Sequence, residues 1–424
     1  MKISRKLKYE GKAAKLVGQD FWSFLKYLLL SLAVGIGVGA YASLFALLIS
    51  FLTELRTEHM WLIFLLPIGG LAIVGLYDVC GERNSRGTDQ VLDSISRGET
   101  LPVKMAPLIT VATAITHLFG GSAGREGAAL QIGGSLGRGF GKLLKLDSKG
   151  ITLMTVCGMS AAFSAMFGTP LTAAVFAMEV VCVGVMQYSA LVPCAVSSLS
   201  AYLMARLLGV SLETYTVIFP DLGWLIALEA VALGIMCAVV GCLFCFVLHK
   251  AGGLYRKYIP NPYLRVVVGG LLVILFTMVC GTSDYNGAGM NIIEEALSGE
   301  AVPWAFLAKI LMTALTLGAG FKGGEIVPSL FIGATFGCVF GPLIGIPADA
   351  AAALGLCGVF CAVTNCPIAS ILLAVEMCGA DGLPLYLIVA AVSYRLSGYK
   401  GLYSSQKFLY SKSSLTLKDR NLKG

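Results

Sequence analysis

Apolar stretches recur almost without interruption from Phe21 to about Leu396 of this 424-residue chain. Tyr27–Leu52, Trp61–Leu76, Ile151–Met186, Leu222–Leu248, Leu264–Val279, Trp304–Gly320, Pro328–Ile346 and Leu354–Met377 are the clearest. Inside lipid a peptide group can be satisfied only by the chain itself, so such runs must fold as helices packed on one another. One crossing takes about 20 residues, and several of these runs are too long for one crossing while others are too short. Ten or more helices follow, some of them partial, in one integral domain. A composition that is 57% hydrophobic and 13% charged, with a mean hydropathy of +0.82, excludes an ordinary soluble protein.

The charge sits at the ends. The leader MKISRKLKYEGKAAK carries six basic residues and one acid, and the tail after Gly398 is also basic. By the positive-inside rule both termini face the cytoplasm of a plasma (inner cell) membrane and the number of crossings is even. The leader has no small-residue cleavage site and the first apolar segment is too long for a signal sequence, so no cleaved leader is expected. Residues 1–20 read as a basic arm, amphipathic or unstructured, with Leu7, Ala13, Ala14, Leu16 and Val17 available to touch the bilayer. The net charge of +7 reflects these flanks, so nucleic acid is not an expected partner. Twelve of the 13 cysteines fall in apolar runs and the three histidines are scattered, a pattern of small hydrophobes and not of a metal site.

Residues 120–142, GGSAGREGAALQIGGSLGRGFGK, stand apart. They set Arg125 and Glu126 among nine glycines. A carboxylate at membrane depth costs roughly 3 kcal/mol or more, which marks Glu126 as a functional candidate. Glycines allow bare N–H groups to approach a ligand, and the apolar run that follows can place a helix N-terminus beside it. That chemistry suits a dehydrated anion. Pairing of Glu126 with Arg125 is disfavoured if both lie on a helix, because neighbours there point about 100° apart.

The chain also echoes itself. At an offset of 200, Gly124 matches Gly324, Ile132-Gly133 matches Ile332-Gly333, Gly137 matches Gly337 and Cys157-Gly158 matches Cys357-Gly358. At an offset of 197, Pro170 and Glu179 match Pro367 and Glu376. The expected organisation is an arm (1–20), one membrane half (21–210), a second half (211–397) and a short basic tail (398–424). Internal repeats in transporters often run inverted and place the substrate at their interface near the midplane. By their symmetry Glu179 and Glu376 are expected to be architectural, capping N–H groups in the partner half.

GREGA at 124–128 resembles the GREGP motif of the CLC family of chloride channels and proton-coupled anion transporters. GFKGGEIVPSLFIGATFG at 320–337 resembles the family's GGxFxP element, FGTPLTAAVFAMEV (167–180) and NCPIASILLAVEM (365–377) its two Pro-led helices, and GLYSS at 401–405 the segment carrying its central tyrosine. The resemblance implies an all-α polytopic membrane protein with a CLC-type inverted repeat of tilted and partial helices, working as a homodimer. It also implies that Glu126 is the gating glutamate, that Arg125 and Gly127 support the outer anion site, and that the backbone at Glu325, Ile326 and Val327, with Tyr403, faces a central anion. The family's serine falls on Ser85 by direct counting from Glu126 and on Arg86 by hydrophobic register.

Three departures from the family pattern bear on the ion. Glu325 stands where chloride members have an apolar residue, Val180 stands where many exchangers carry an inner proton-path glutamate, and the first motif is degraded to ERNSRGTDQ. The first two resemble the fluoride-exporting branch, in which the second-motif glutamate is thought to relay protons; Val327, where that branch often has threonine, does not. The expected function is proton-coupled antiport of a halide, fluoride before chloride, with halide and protons as partners and no cofactor. A passive chloride channel is the alternative within the family, and an intramembrane enzyme a remote one outside it. Glu325 has a plainer reading as a helix N-terminal acid, worth about 0.3–1 kcal/mol. Lys322 and Lys309 are near it in sequence and would tune a relay, unless Lys309 snorkels to an interface. Ser164 and Thr169 read as helix hydrogen-bonders.

Overall fold

The computed structural model describes residues 2–211, 214–412 and 417–421, with side chains from 22 to 412 inside those spans. The order of elements in the first half is α1 (Lys2–Glu58), α2 (Leu66–Val79), α3 (Thr88–Ser96), α4 (Met105–Leu118), α5 (Glu126–Leu143), α6 (Ser148–Phe167), α7 (Pro170–Glu179), β1 (Cys182–Val183) and α8 (Leu191–Leu207). It continues as α9 (Trp224–Tyr258), α10 (Pro262–Cys280), α11 (Met290–Leu297), α12 (Ala305–Ala319), α13 (Ile326–Phe340), α14 (Ala348–Thr364), α15 (Pro367–Cys378) and α16 (Leu383–Leu396), then β2 (Lys407–Tyr410) and β3 (Leu417–Asn421). Seven helical segments are long and apolar enough to cross a bilayer, and six more apolar helices are shorter, among the described residues.

The 35-residue α9 would span about 52 Å at 1.5 Å per residue, more than a bilayer's hydrocarbon core, so it must tilt or project. α1, α2, α9 and α10 form the outside of the molecule and expose apolar side chains such as Leu44, Phe51, Ile68, Leu225, Val239 and Leu275. Helices α6, α13 and α14 lie within. Every residue of α14 from Ala350 to Thr364 is buried, as is most of α13. The backbone of residues 2–21 continues α1 as helix, while the apolar side chains assigned to the arm lie outside the described side chains.

Small residues bring the inner helices together, as expected where lipid supplies no hydrophobic drive between helices. α5 meets α6 where a Cβ on Gly133 would fall 2.1 Å from the Gly158 carbonyl oxygen, and α13 meets α14 where a Cβ on Gly333 would fall 2.4 Å from that of Gly355. Gly355, not Gly358, is therefore the counterpart of Gly158. Gly358 packs on Cys237 of α9. The Cys-Gly match at 200 is coincidental in packing terms, and the shift from 200 to 197 already applies at this contact (355 − 158 = 197).

Breaks between helices follow from local chemistry. α6 stops at Gly168 in the left-handed region (φ 72°), α14 at Asn365 (φ 58°), and each break is followed two residues on by a proline that opens the next helix. Among the described residues, one small sheet pairs β2 parallel to β1 and antiparallel to β3, fastening the tail to the end of α7. All 13 cysteines are free thiols.

Candidate functional site

The two glycine turns cross at the centre. Gly124 and Gly324 exchange a pair of hydrogen bonds, each N–H donating to the other's carbonyl at 2.7 Å. A Cβ on Gly324 would lie 2.4 Å from Gly127 N, and one on Gly127 would lie 2.7 Å from the Gly324 Cα. No side chain fits between these backbones, so the N-termini of α5 and α13 are held against each other.

Glu126 opens α5 and is 1% exposed. Its carboxylate folds back over the turn, where Oε2 accepts from Arg125 N at 3.0 Å and Oε1 lies 3.5 Å from Arg125 Nε. The two residues do meet. Arg125 is the N-cap (φ −105°, ψ −17°), outside the helix, so the 100° rule that separates helical neighbours does not apply to it. Glu126 Oε2 also sits where a Cβ on Gly124 would stand, 2.7 Å away. Arg125 Nη1 reaches Ser50 Oγ of α1 at 3.3 Å.

Glu325 is the N-cap of α13. Its Oε2 has no hydrogen-bond partner and points toward Gly127, 3.3 Å from where a Cβ there would be. The side chain lines a cavity of about 680 Å³ that opens on the face where α2 ends and α10 begins. Ser85, Arg86, Lys322 and Tyr403 line the same cavity, and Glu126 does not. Tyr403 is 2% exposed and its hydroxyl has no partner, although it feels the charges of Glu325, Asp89 and Glu126. A buried donor left unmatched costs about 1–3 kcal/mol, which an incoming acceptor would recover.

Of the two serine-position candidates, Arg86 is committed elsewhere. Its guanidinium pairs with Asp93 at 2.8 Å and with Glu99. Ser85 donates to Gln90 Oε1 at 3.3 Å. Thr88 and Gln131, which sequence reasoning missed, approach more closely: both donate to the Gly127 carbonyl, at 3.4 and 3.2 Å, and Gln131 Oε1 is buried without a partner. Gln131 lies one turn beyond Gly127, so helical spacing from the GREGA motif was the signal available.

Ile326 and Val327 are fully buried in the first turn of α13, where their backbones, and not their side chains, are of use. Lys322 stays beside Glu325, its ammonium 4.4 Å from the Tyr77 ring centroid. Lys309 departs from both expectations. It neither snorkels nor turns to Glu325; it is fully buried and donates to the carbonyls of Tyr285 (3.1 Å) and Gly287 (2.8 Å).

Glu179 and Glu376 are reciprocal. Glu179 accepts from the N–H groups of Ile368 (3.2 Å) and Ala369 (2.8 Å) at the start of α15. Glu376 accepts from Leu171 N (3.0 Å), Thr172 N (2.8 Å) and the Thr172 hydroxyl at the start of α7. Each carboxylate accepts from the orphan N–H groups that a Pro-led helix leaves at its first turn. Ser164 donates to Ser198 O across to α8 at 2.7 Å, and the Thr169 hydroxyl is buried without a partner. Beyond Val180 the tail closes the end of α7: Gln406, fully buried, donates to the carbonyls of Val180 (3.1 Å) and Thr364 (2.8 Å). Lys412 beside it donates to Asn365, Tyr394 O and Ser397 Oγ, and burial lowers its ammonium to about 8.

Known proteins resemble this chain in sequence and fold. Residues 69–398 match the voltage gated chloride channel family. A chloride/fluoride channel protein of Pseudomonas syringae pv. tomato is 34% identical over 396 residues, covering 91% of this chain and 87% of its own. An H(+)/Cl(-) exchange transporter ClcA of Vibrio campbellii is 25% identical, with 89% and 88% covered. Among solved structures, a CLC-type fluoride/proton antiporter superposes with a TM-score of 0.89 at 32% identity, over 92% of this chain and 99% of that one. A slow cyanobacterial Cl-/H+ antiporter shares the fold at a TM-score of 0.74 and 21% identity. With that family matched over most of its length and its motif residues gathered at one crossing, this chain is a multi-pass membrane protein of the voltage gated chloride channel family.

Proposed function

We propose that the protein exchanges a small halide for protons across the membrane, fluoride before chloride, and that Glu126 is the gate. The observation that carries this reading is the crossing of the two glycine turns. A sealed carboxylate (Glu126), a second carboxylate on the cavity side (Glu325) and an unmatched phenol (Tyr403) stand around a helix pair whose N-termini face each other. Peptide dipoles and a hydroxyl hold an anion without trapping it as full cationic charges would. An ionised Glu126 contends with the anion for the same N–H groups, and protonation removes the competitor. One group then links proton and anion occupancy.

The preference for fluoride is supported by Glu325 in the second turn and by the printed descriptions of the fluoride/proton antiporter and the chloride/fluoride channel protein among its relatives. The family is one of transporters, and an intramembrane enzyme finds no support in it. We further infer that Ser85 or Arg86 takes the serine position, that both termini face the cytoplasm, that residues 21–210 and 211–397 are the two inverted halves, and that the working unit is a homodimer in the plasma membrane. Purified protein in liposomes tests the central reading, with fluoride, chloride and proton fluxes followed together. Wild type should drive protons against their gradient when an anion gradient is imposed, and Glu126→Gln should pass anions without doing so. If Glu126→Gln still pumps protons, Glu126 is not the gate. A reversal potential that ignores pH would establish a passive channel instead.

A further inference from the structure

Glu325 opens onto a cavity that is electrostatically hostile to protons. Arg83, Arg86, Arg256, Arg265, Lys322 and His249 line it, against three carboxylates: Asp78, Asp89 and Glu325 itself. Such a surface concentrates anions and depletes hydronium, so a proton bound for Glu325 needs a local landing site. Asp78 is occupied, with Arg83 Nε at 3.5 Å and the Tyr263 hydroxyl donating at 2.8 Å. Asp89 is not. It sits in the first turn of α3, takes part in no ion pair among the described residues, and its field reaches both Glu325 and Tyr403. Its acceptors are engaged by the tail alone: Ser405 N donates to Oδ1 at 2.9 Å and Ser404 Oγ donates to Oδ2.

The groups around Asp89 come from four elements. On α3, Asp93 is neutralised by Arg86 and Arg97 and also holds Ser405 Oγ at 2.6 Å. From the tail come Tyr403 and Lys407, whose ammonium reaches Ser96 O at 3.4 Å. From the start of α13 comes Glu325, on which Lys322 acts in turn, and both line the cavity with Asp89. From the loop before α3 comes Arg86, turned toward Asp93 and Glu99.

We propose that Asp89 is the cavity-side proton carrier of the exchange: a hydronium in the cavity protonates its carboxylate, and the proton then passes through water to the Glu325 carboxylate, returning Asp89 to its anion. This assignment rests on the proton-coupled reading above. A second role follows from the same hydrogen bonds, since Asp89 tethers the Ser404-Ser405 turn that places Tyr403. The two roles separate under substitution. Asparagine keeps an acceptor for Ser405 N and a polar partner for Ser404 but cannot carry the proton, whereas alanine loses both.

The test uses the full chain in liposomes, with fluoride efflux and proton uptake read together and wild type, Asp89→Asn and Asp89→Ala compared. Asp89→Asn should lower protons moved per fluoride by about threefold or more near pH 7.5 on the cavity side. The loss should be repaired at about pH 5.5 on that side only, or by a small permeant weak acid, with apparent fluoride affinity unchanged within about twofold. Asp89→Ala should in addition weaken fluoride binding. If Asp89→Asn matches wild type in coupling and pH profile, or if it loses fluoride affinity as Asp89→Ala does, Asp89 is an anchor for the tail and the proposal fails. Wild type that moves fluoride with no protons at all would overturn the parent reading; wild type that couples beside an unaltered Asp89→Asn overturns this one alone.

Discussion

The two glycine turns are the same backbone with different side chains on it. Arg125 caps α5 at φ −105°, ψ −17°, and Glu325 caps α13 at φ −96°, ψ −12°. Their neighbours Gly124 and Gly324 bond to each other as equals. One residue further, the first half has Glu126 and the second has Ile326. The halves thus place their acids one position apart: Glu126 is sealed within the crossing, and Glu325 faces the cavity. Symmetry supplies the paired helix N-termini that an anion needs. The broken symmetry supplies two carboxylates with different access to water, which exchange for protons needs.

The largest effect should come from breaking what the turns share. Gly324→Ala would bring a methyl within 2.4 Å of Gly127 N, backbone that cannot move aside without parting α5 from α13. Overpacking typically costs 1–3 kcal/mol, and here about the upper end or more is expected because no side chain can yield. Transport should be lost and the midpoint of thermal inactivation in detergent should fall by several degrees. A functional Gly324→Ala protein with unchanged melting would mean that the turns are not held this tightly.

Next in size is the change that makes the turns differ. Glu325→Gln leaves the shared backbone and Glu126 in place, so anions should still bind while proton flux falls by about a hundredfold or more, the scale of losing one positioned acid–base group. Unlike Glu126→Gln, it should leave anion passage slow and dependent on the gate. Equal behaviour of the two variants in paired anion and proton flux assays would show that access to water does not distinguish them.

The sequence announced the shared part more clearly than the different part. Gly, Pro and Glu repeat because each has a steric or capping task that both halves must perform, so Gly124 with Gly324 and Glu179 with Glu376 were visible as matched letters. Gly158 found the wrong mate, because three residues are lost between α5–α6 and α13–α14 and only packing shows that its counterpart is Gly355. Helical spacing separates Arg125 from Glu126, but Arg125 caps the helix, and only its cap geometry brings the two side chains together. Lys309 gave no sign of its destination: backbone carbonyls of Tyr285 and Gly287 are supplied by fold, not by letters. Gln131 is reachable only through its helical spacing from Gly127, and Thr88, a neutral polar residue on another element, carries no signal until the fold sets it against the Gly127 carbonyl. The tail sheet had no signal either, as β1 is only two residues long.

A gentler break of the shared part is available at the reciprocal caps. Glu179→Gln keeps one acceptor of two for Ile368 N and Ala369 N, and should cost about 1–2 kcal/mol, the price of an imperfectly satisfied buried pair. Glu376→Gln leaves three donors to one good acceptor, but this side chain is only half-buried and water can help, so its loss should be smaller. Thermal inactivation of the two variants side by side measures the difference. Coupling of protons to anions should be intact in both. A change of stoichiometry in either would place that acid in the transport path and not in the architecture.

Tyr403→Phe should give the smallest effect on stability, and it sharpens the comparison because the hydroxyl lies outside both turns. The phenol is buried, unmatched, and close to three carboxylates. If its O–H waits for an anion, removing it deletes one charge-assisted hydrogen bond, worth about 1.5–3 kcal/mol, or about a ten- to 150-fold loss of affinity. Stability should change little or improve slightly, since an unmatched buried hydroxyl has been exchanged for hydrogen. Fluoride titration by calorimetry reads the first quantity and thermal inactivation the second. A variant that binds fluoride as well as wild type would leave the backbone N–H groups of the two turns as sufficient on their own, and would confine recognition to the part of the molecule that the halves share.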